Sequence, residues 1–210
     1  MNPIEKWASR LRARLARPQK LNSVPRRRSD VPSSKKRRGI AATEFALTMP
    51  IWITLLLGVS DGAYCLLVNE KADRIAYSVT DIVTQYQTIT IANLKDILQA
   101  ASQLMQPFSF GANGVVIISS VYKPTGQSPL IEWQYAGGGT LTATSAIGTT
   151  GGAPHLPNGL TLNDNDNVII SEVYYNFTPL FLNVGPFSAN TVYRVAMYKP
   201  RLSQLINPPS

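Results

Sequence analysis

Three hydrophobic patterns succeed one another along this chain. Residues 40–60 are apolar almost throughout, and Glu44 is the one charged residue among the 21. At about 1.5 Å per residue, a helix of that length reaches ~31 Å, the thickness of a hydrocarbon core. The run therefore predicts a membrane-spanning helix. Pro50 lies inside it, removes one backbone hydrogen bond and predicts a kink. Asp61 closes the run, flanked by Gly58 and Gly62. Beyond it the pattern becomes a stripe. Ala72, Ile75, Val79, Ile82, Val83 and Tyr86 recur at helical spacing, with Glu70 and Arg74 as an i,i+4 pair on the other side. A second amphipathic segment follows, through Ile91, Leu94, Ile97, Leu98, Ala101, Leu104 and Met105, and Pro107 ends it.

After Phe110 the period changes from 3.6 to 2. "GVVIISSVY" (114–122) is β-branched and apolar on both faces, as a buried strand is. "KPTGQSP" reads as a turn, and "LIEWQYA" alternates, which predicts Ile131, Trp133 and Tyr135 on one face of a hairpin. Residues 137–160 are rich in Gly, Thr and Pro and predict a mobile loop. "VIISEVYYNF" (168–177) and "TVYRVAMYK" (191–199) predict two further strands, and the link 178–190 is long enough to cross between sheet positions. The expected class is α+β: a long N-terminal membrane-spanning helix continues into an amphipathic helix, packed on an antiparallel sheet of about four strands.

Charge orients this arrangement. The net charge is +8, yet residues 1–38 hold 13 of the 20 cations and two of the 12 acids, a net +11. Lys35, Lys36, Arg37 and Arg38 stand directly before the apolar run, and few cations follow it. The positive-inside rule then places the N-terminus in the cytoplasm and the C-terminal part outside. Three regions result: a basic leader (1–39), a transmembrane helix (40–68) and an extracytoplasmic α+β domain (69–210). A removable secretory signal fits poorly, because the apolar stretch is too long and no A-x-A site follows. Within the leader, Ile4, Trp7, Leu11 and Leu15 are spaced as on a basic amphipathic helix suited to anionic lipid, with a disordered basic tail as the alternative. Residues 21–38 read as a linker. Such a tail can also contact phosphates without sequence preference, but the remainder of the chain is acidic overall, so no specific nucleic-acid surface is indicated.

Candidate chemistry is sparse. Cys65 is the single cysteine and lies near the end of the transmembrane segment, where packing is its expected role. His155 is the single histidine and falls in the Gly/Pro-rich stretch. No nucleophile triad, phosphate loop or metal-spaced cluster occurs, so no enzyme, metal or cofactor is expected. "NDNDN" (163–167) departs from a calcium loop at Val168 and reads as a turn before a strand. Trp133, Tyr135, Tyr174 and Tyr175 are candidates for a binding surface, or else for sheet core.

Glu44 carries the functional argument. A carboxylate in an apolar helix must be neutralised, paired or displaced to the interface. Within the chain, Arg37 or Arg38 snorkelling towards it is one answer. Spacing offers another partner: cleavage after Gly39 would create a free amine on Ile40, about one turn from Glu44. In a bundle of staggered helices, a neighbour's amine could meet that carboxylate. The pair would set subunit register, because misregister leaves both charges unpaired.

A basic leader, Gly39 at a cut, an apolar helix and Glu44 five residues on resemble the processing site of type IV prepilins. "RRGIAATEFALTMPIWITLLLGVSDGAY" is similar to the TadE-like pseudopilins of the tight-adherence (Tad) pilus system, through Gly39, Glu44, Phe45, Pro50 and Asp61. The distal "SEVYYNFTPLF" and "TVYRVAMYKPR" are similar to that family's C-terminal strands. The resemblance implies a pilin-like fold and a minor subunit or assembly factor of a pilus in the bacterial inner membrane. It implies processing at Gly39–Ile40 by a prepilin peptidase, and roles for Glu44, Phe45, Pro50 and Asp61 in helix register and assembly. Its implied partners are other pilin or pseudopilin subunits, inner-membrane assembly machinery and membrane lipid. The alternative, akin to TadG-like proteins, is an uncleaved anchored envelope protein whose outer domain binds a surface or partner.

Overall fold

A computed structural model of the chain describes residues 34–183, 185 and 188–210. The expected amphipathic helix at 1–20 and the linker up to residue 33 lie outside the described residues. The chain divides into two units at Thr48–Met49. One helix, α1 (Ser34–Val83), begins earlier than the linker reading placed it, and helix continues through Pro50. Its Gly39–Val83 portion is long and apolar enough to cross a membrane.

In the larger unit, α1 packs through a stripe on the sheet. Val68, Ala72, Ile75, Ala76, Val79 and Val83 are fully buried, whereas Ile82, expected on this stripe, is exposed. Two hydroxyls bridge the helix–sheet contact. Thr80 and Ser171 lie 2.6 Å apart, and each donates to the carbonyl of Ala76, at 2.8 and 2.7 Å. No ion pair joins Glu70 to Arg74 among the described residues. The charged tie runs to the sheet instead, where Arg194 pairs with Asp73 at 3.2 Å and also donates to Asn69. The second amphipathic segment is α2 (Ile91–Gln103). Thr90 caps it reciprocally with Asn93, satisfying N–H groups that a helix start leaves orphaned. It buries Leu94, Ile97, Leu98 and Ala101 on the same core. A single turn, α3 (Phe110–Asn113), then leads into the sheet.

Four strands, β1 (Gly114–Tyr122), β2 (Leu130–Gly137), β3 (Asn167–Phe177) and β4 (Asn190–Tyr198), form one antiparallel sheet in the order β2-β1-β3-β4. The α+β layout of helix on a four-stranded antiparallel sheet is thus present. Three details differ from the sequence reading. First, a β-bulge at Glu132 breaks the alternation of β2: Ser120 pairs with Trp133, but Val121 pairs with Ile131. Trp133 therefore joins the helix-facing core, while Ile131 joins a second cluster on the opposite face.

Second, residues 137–160 are a packed layer rather than a free loop. The β2–β3 connection crosses the sheet's other face and buries Ile147 and Leu162 against Val121, Ile131, Val168 and Ile170. At Gly139 a Cβ would stand 2.1 Å from the carbonyl of Gly114, so only glycine lets the chain pass there. Third, the 178–189 link does not cross the sheet, since β3 and β4 are neighbours. Its extra length is spent on α1, as described below. The C-terminal segment closes the core: the carbonyl of Leu205 accepts from Ser120 Oγ (2.6 Å) and Trp133 Nε1 (2.9 Å), and its N–H donates to Asn167.

Candidate functional site

Gly39 through Thr48 present an unpartnered apolar surface. Ile40 is 58% exposed, Phe45 61% and Leu47 80%. The hydroxyls here return to their own helix, Thr43 to the carbonyl of Ile40 at 2.8 Å and Thr48 to that of Glu44 at 3.1 Å. Thr54 and Ser60 do the same further along, bonding Pro50 and Leu56. Such self-sufficiency suits a helix apolar enough to cross a membrane, since hydrocarbon offers no hydrogen bonds. Glu44 is the exception. It is exposed, and among the described residues no donor bonds its carboxylate. Lys35, Lys36, Arg37 and Arg38 are helical in backbone, on the N-terminal side of Gly39.

Asp61 has a different setting. It is fully buried, and its carboxylate accepts backbone N–H groups from three successive residues of the β3–β4 link. Leu180 donates to Oδ1 at 2.8 Å, Leu182 to Oδ2 at 2.6 Å, and Phe181 reaches both oxygens, at 3.2 and 3.3 Å. Three successive N–H donors turned onto one carboxylate form an anion nest made within the chain. Gly58, one turn earlier, faces Leu182: a Cβ there would meet the Leu182 side chain at 3.9 Å, an ordinary packing distance. One turn later Tyr64 packs edge-on against Phe108, with centroids 4.8 Å apart, and against Phe177. Phe45, by contrast, has no aromatic partner among the described residues and is 61% exposed.

A second polar cluster, which no sequence motif singles out, lies on the sheet. Glu172, in β3, is fully buried on the face covered by the β2–β3 connection. It accepts Tyr174 Oη at 2.9 Å, Tyr193 Oη at 3.1 Å, the N–H of Ala146 at 2.8 Å and the Ser145 hydroxyl. Burial, and then the neighbouring Glu172 charge, pushes the Tyr174 phenol up to about 12 and the Tyr193 phenol up as well. The signal was present in the alternation. Glu172 shares parity with Val168 and Ile170, so a strand places its carboxylate on an apolar face, where only donors from elsewhere could satisfy it.

The binding-surface aromatics divide. Trp133 and Tyr175 are buried core, and Tyr135 and Tyr174 are half-buried. His155 is exposed, and its backbone N–H donates to Ile147 within the packed connection. Cys65 is half-buried, with its sulfur 3.4 Å from Asn69 Nδ2. "NDNDN" is a turn: Asn165 has φ +63°, Asp164 pairs with Lys123 and Asp166 with Lys199.

Chemically, then, the described residues include Glu44, a carboxylate without a donor among them on an exposed apolar helix, and two buried carboxylates, Asp61 and Glu172, already saturated by internal donors. No protein-family model matches the chain, and no curated protein or solved structure does either.

Proposed function

We propose that this chain is a minor pilin-like (pseudopilin) subunit or assembly factor of a Tad-type type IV pilus. In this reading it is held in the bacterial inner membrane by α1, with the N-terminus cytoplasmic and the sheet domain periplasmic or in the pilus. The role is structural, not enzymatic. Its partners are other pilin or pseudopilin subunits, the inner-membrane assembly machinery, a prepilin peptidase and membrane lipid.

The observation that carries this reading is Glu44: the only ionisable side chain of the 40–60 run, exposed on an apolar helix, five residues after Gly39 and a block of four cations. An unpaired carboxylate in that setting costs several kcal/mol or must find a cation on another molecule. The amine released at Ile40 of a neighbouring subunit is the right charge at the right depth. Phe45, Pro50 and the flanking apolar residues supply the packing around that pair.

N-terminal sequencing of the protein isolated from membranes tests the first step. A terminus at Ile40 is expected. An intact Met1 excludes processing and favours the uncleaved anchored protein whose outer domain binds a surface or partner. That alternative draws less support from the aromatic residues, because Trp133 and Tyr175 are committed to the core. Glu44→Ala tests the second step: membrane insertion should persist, since the span becomes more apolar, while crosslinking to partner subunits should fall.

A further inference from the structure

The link between β3 and β4 presents large apolar side chains to the outside at the place where the apolar run of α1 ends. Leu180 is 57% exposed and Phe181 58% exposed. Their backbone is fastened to Asp61, the first charged residue after Glu44. The fastening is costly in groups: a carboxylate is buried and three N–H groups are committed to it. A turn that merely joined two neighbouring strands would need a few residues and no such anchor. Beside the link, the same part of α1 carries an apolar groove of about 530 Å³, lined by Leu55, Gly58, Val59, Gly62 and Leu66 among others. Leu55, Leu56, Val59 and Leu66 are themselves exposed.

We propose that residues 180–182 form a second membrane contact, an apolar tip that dips into the outer lipid boundary beside α1 and is positioned there by Asp61. The inference rests on the reading of α1 as a membrane span. The occupant of the surface is lipid, for three reasons. The tip meets the apolar part of the helix, where the Leu182 side chain lies over Gly58, and its own Leu180 and Phe181 are exposed as Leu55, Leu56 and Val59 are. The groove next to it is almost wholly apolar and open, as suits an acyl chain. And the one charge at this level is enclosed by N–H groups, which removes the carboxylate from contact with hydrocarbon. Two attachments, a helix and a tip held on one side of it, fix the sheet domain's rotation about the helix axis. A lone helix leaves that rotation free.

The test uses the full-length chain in vesicles of phosphatidylcholine and phosphatidylglycerol, with Cys65→Ala as background. A small fluorophore is placed in turn at Leu55→Cys, Phe181→Cys and Leu202→Cys, and quenched by lipids that carry a nitroxide near the headgroup end of the acyl chain. Leu202 follows Arg201, which pairs with Asp81, twenty residues or about 30 Å along α1 from Asp61. Quenching is expected at 55 and 181 and absent at 202. Quenching at 55 without quenching at 181 overturns this inference and leaves the membrane span standing. No quenching at either position removes the span and the inference with it. Self-quenching at 181 that is independent of nitroxide lipid assigns the tip to a second copy and overturns the lipid contact. Asp61→Asn, in the Phe181→Cys protein, should lose quenching at 181 while quenching at 55 in the matching variant stays. Unchanged quenching at 181 would strip Asp61 of its positioning role.

Discussion

Met49–Ser60 and Val68–Val83 belong to one helix, but their apolar residues end in opposite environments. Ile51, Trp52, Leu55, Leu56 and Val59 are exposed, whereas Val68, Ala72, Ile75, Val79 and Val83 are fully buried. Composition explains the difference. The first stretch is apolar around its whole circumference, so no single sheet face could cover it, and its composition is that of a helix able to cross a membrane. The second confines its apolar residues to one stripe and surrounds them with Glu70, Asp73, Arg74 and Asp81. It can bury the stripe on a sheet and still face water. Asp61 stands at the change. It is the point where a helix apolar enough to cross a membrane gains a buried side chain held by a distant segment.

Charge placed in each stretch should break this comparison most sharply. Ile75→Asp buries an unpaired carboxylate in the core and should cost more than about 4 kcal/mol, enough to unfold the sheet domain in chemical denaturation of detergent-solubilised protein. Leu55→Asp should leave that denaturation midpoint in place and instead oppose membrane insertion by roughly 3 kcal/mol, read by alkaline extraction of membranes. Equal effects of the two on either measurement would mean that the two stretches share one environment.

Asp61→Ala acts at the boundary. It strands the N–H groups of Leu180, Phe181 and Leu182, so limited proteolysis should cut the 178–189 link faster, with the four strands still protected. Cleavage at the wild-type rate would show that the link is held by other contacts.

The sheet's far face offers a pH test. The Tyr174 and Tyr193 phenols stay protonated in the folded chain while an unfolded chain ionises near 10. The unfolded state therefore binds fewer protons as pH climbs, and domain stability should fall from about pH 10 towards about 12. Tyr174→Phe should make that decline shallower, measured by denaturant midpoints across the range.

Thr90→Ala is the smallest change. Losing the cap of α2 should cost about 1 kcal/mol of domain stability and leave membrane extraction untouched.

Much of the architecture was legible in the residues. The β-branched, apolar run "GVVIISSVY" marks β1 from Gly114 to Tyr122 as a strand buried on both faces, and period 3.6 in Ala72, Ile75, Val79 and Val83 marks the buried stripe of α1. These signals are local, so a short window of sequence contains them. The bulge at Glu132 was not legible, because alternation assumes an unbroken pleat and the register slip depends on the partner strand. The β2–β3 connection looked mobile because glycine and threonine suggest a free chain. Ile147 and Leu162 find their cover only once the sheet exists.

Of the candidate site, the sequence by itself determined the charged and apolar order around Gly39 and Glu44, and the length of the run that follows. Those properties reside in neighbouring residues. It also marked Asp61 as the end of the run. Only the tertiary structure decided what Asp61 holds, since Leu180 lies 119 residues away, and what satisfies Glu172, whose donors other than Tyr174 come from the β2–β3 connection and from β4. Burying a carboxylate is tolerable only with several donors in place, and such donors are brought together by chain topology rather than by spacing along the chain.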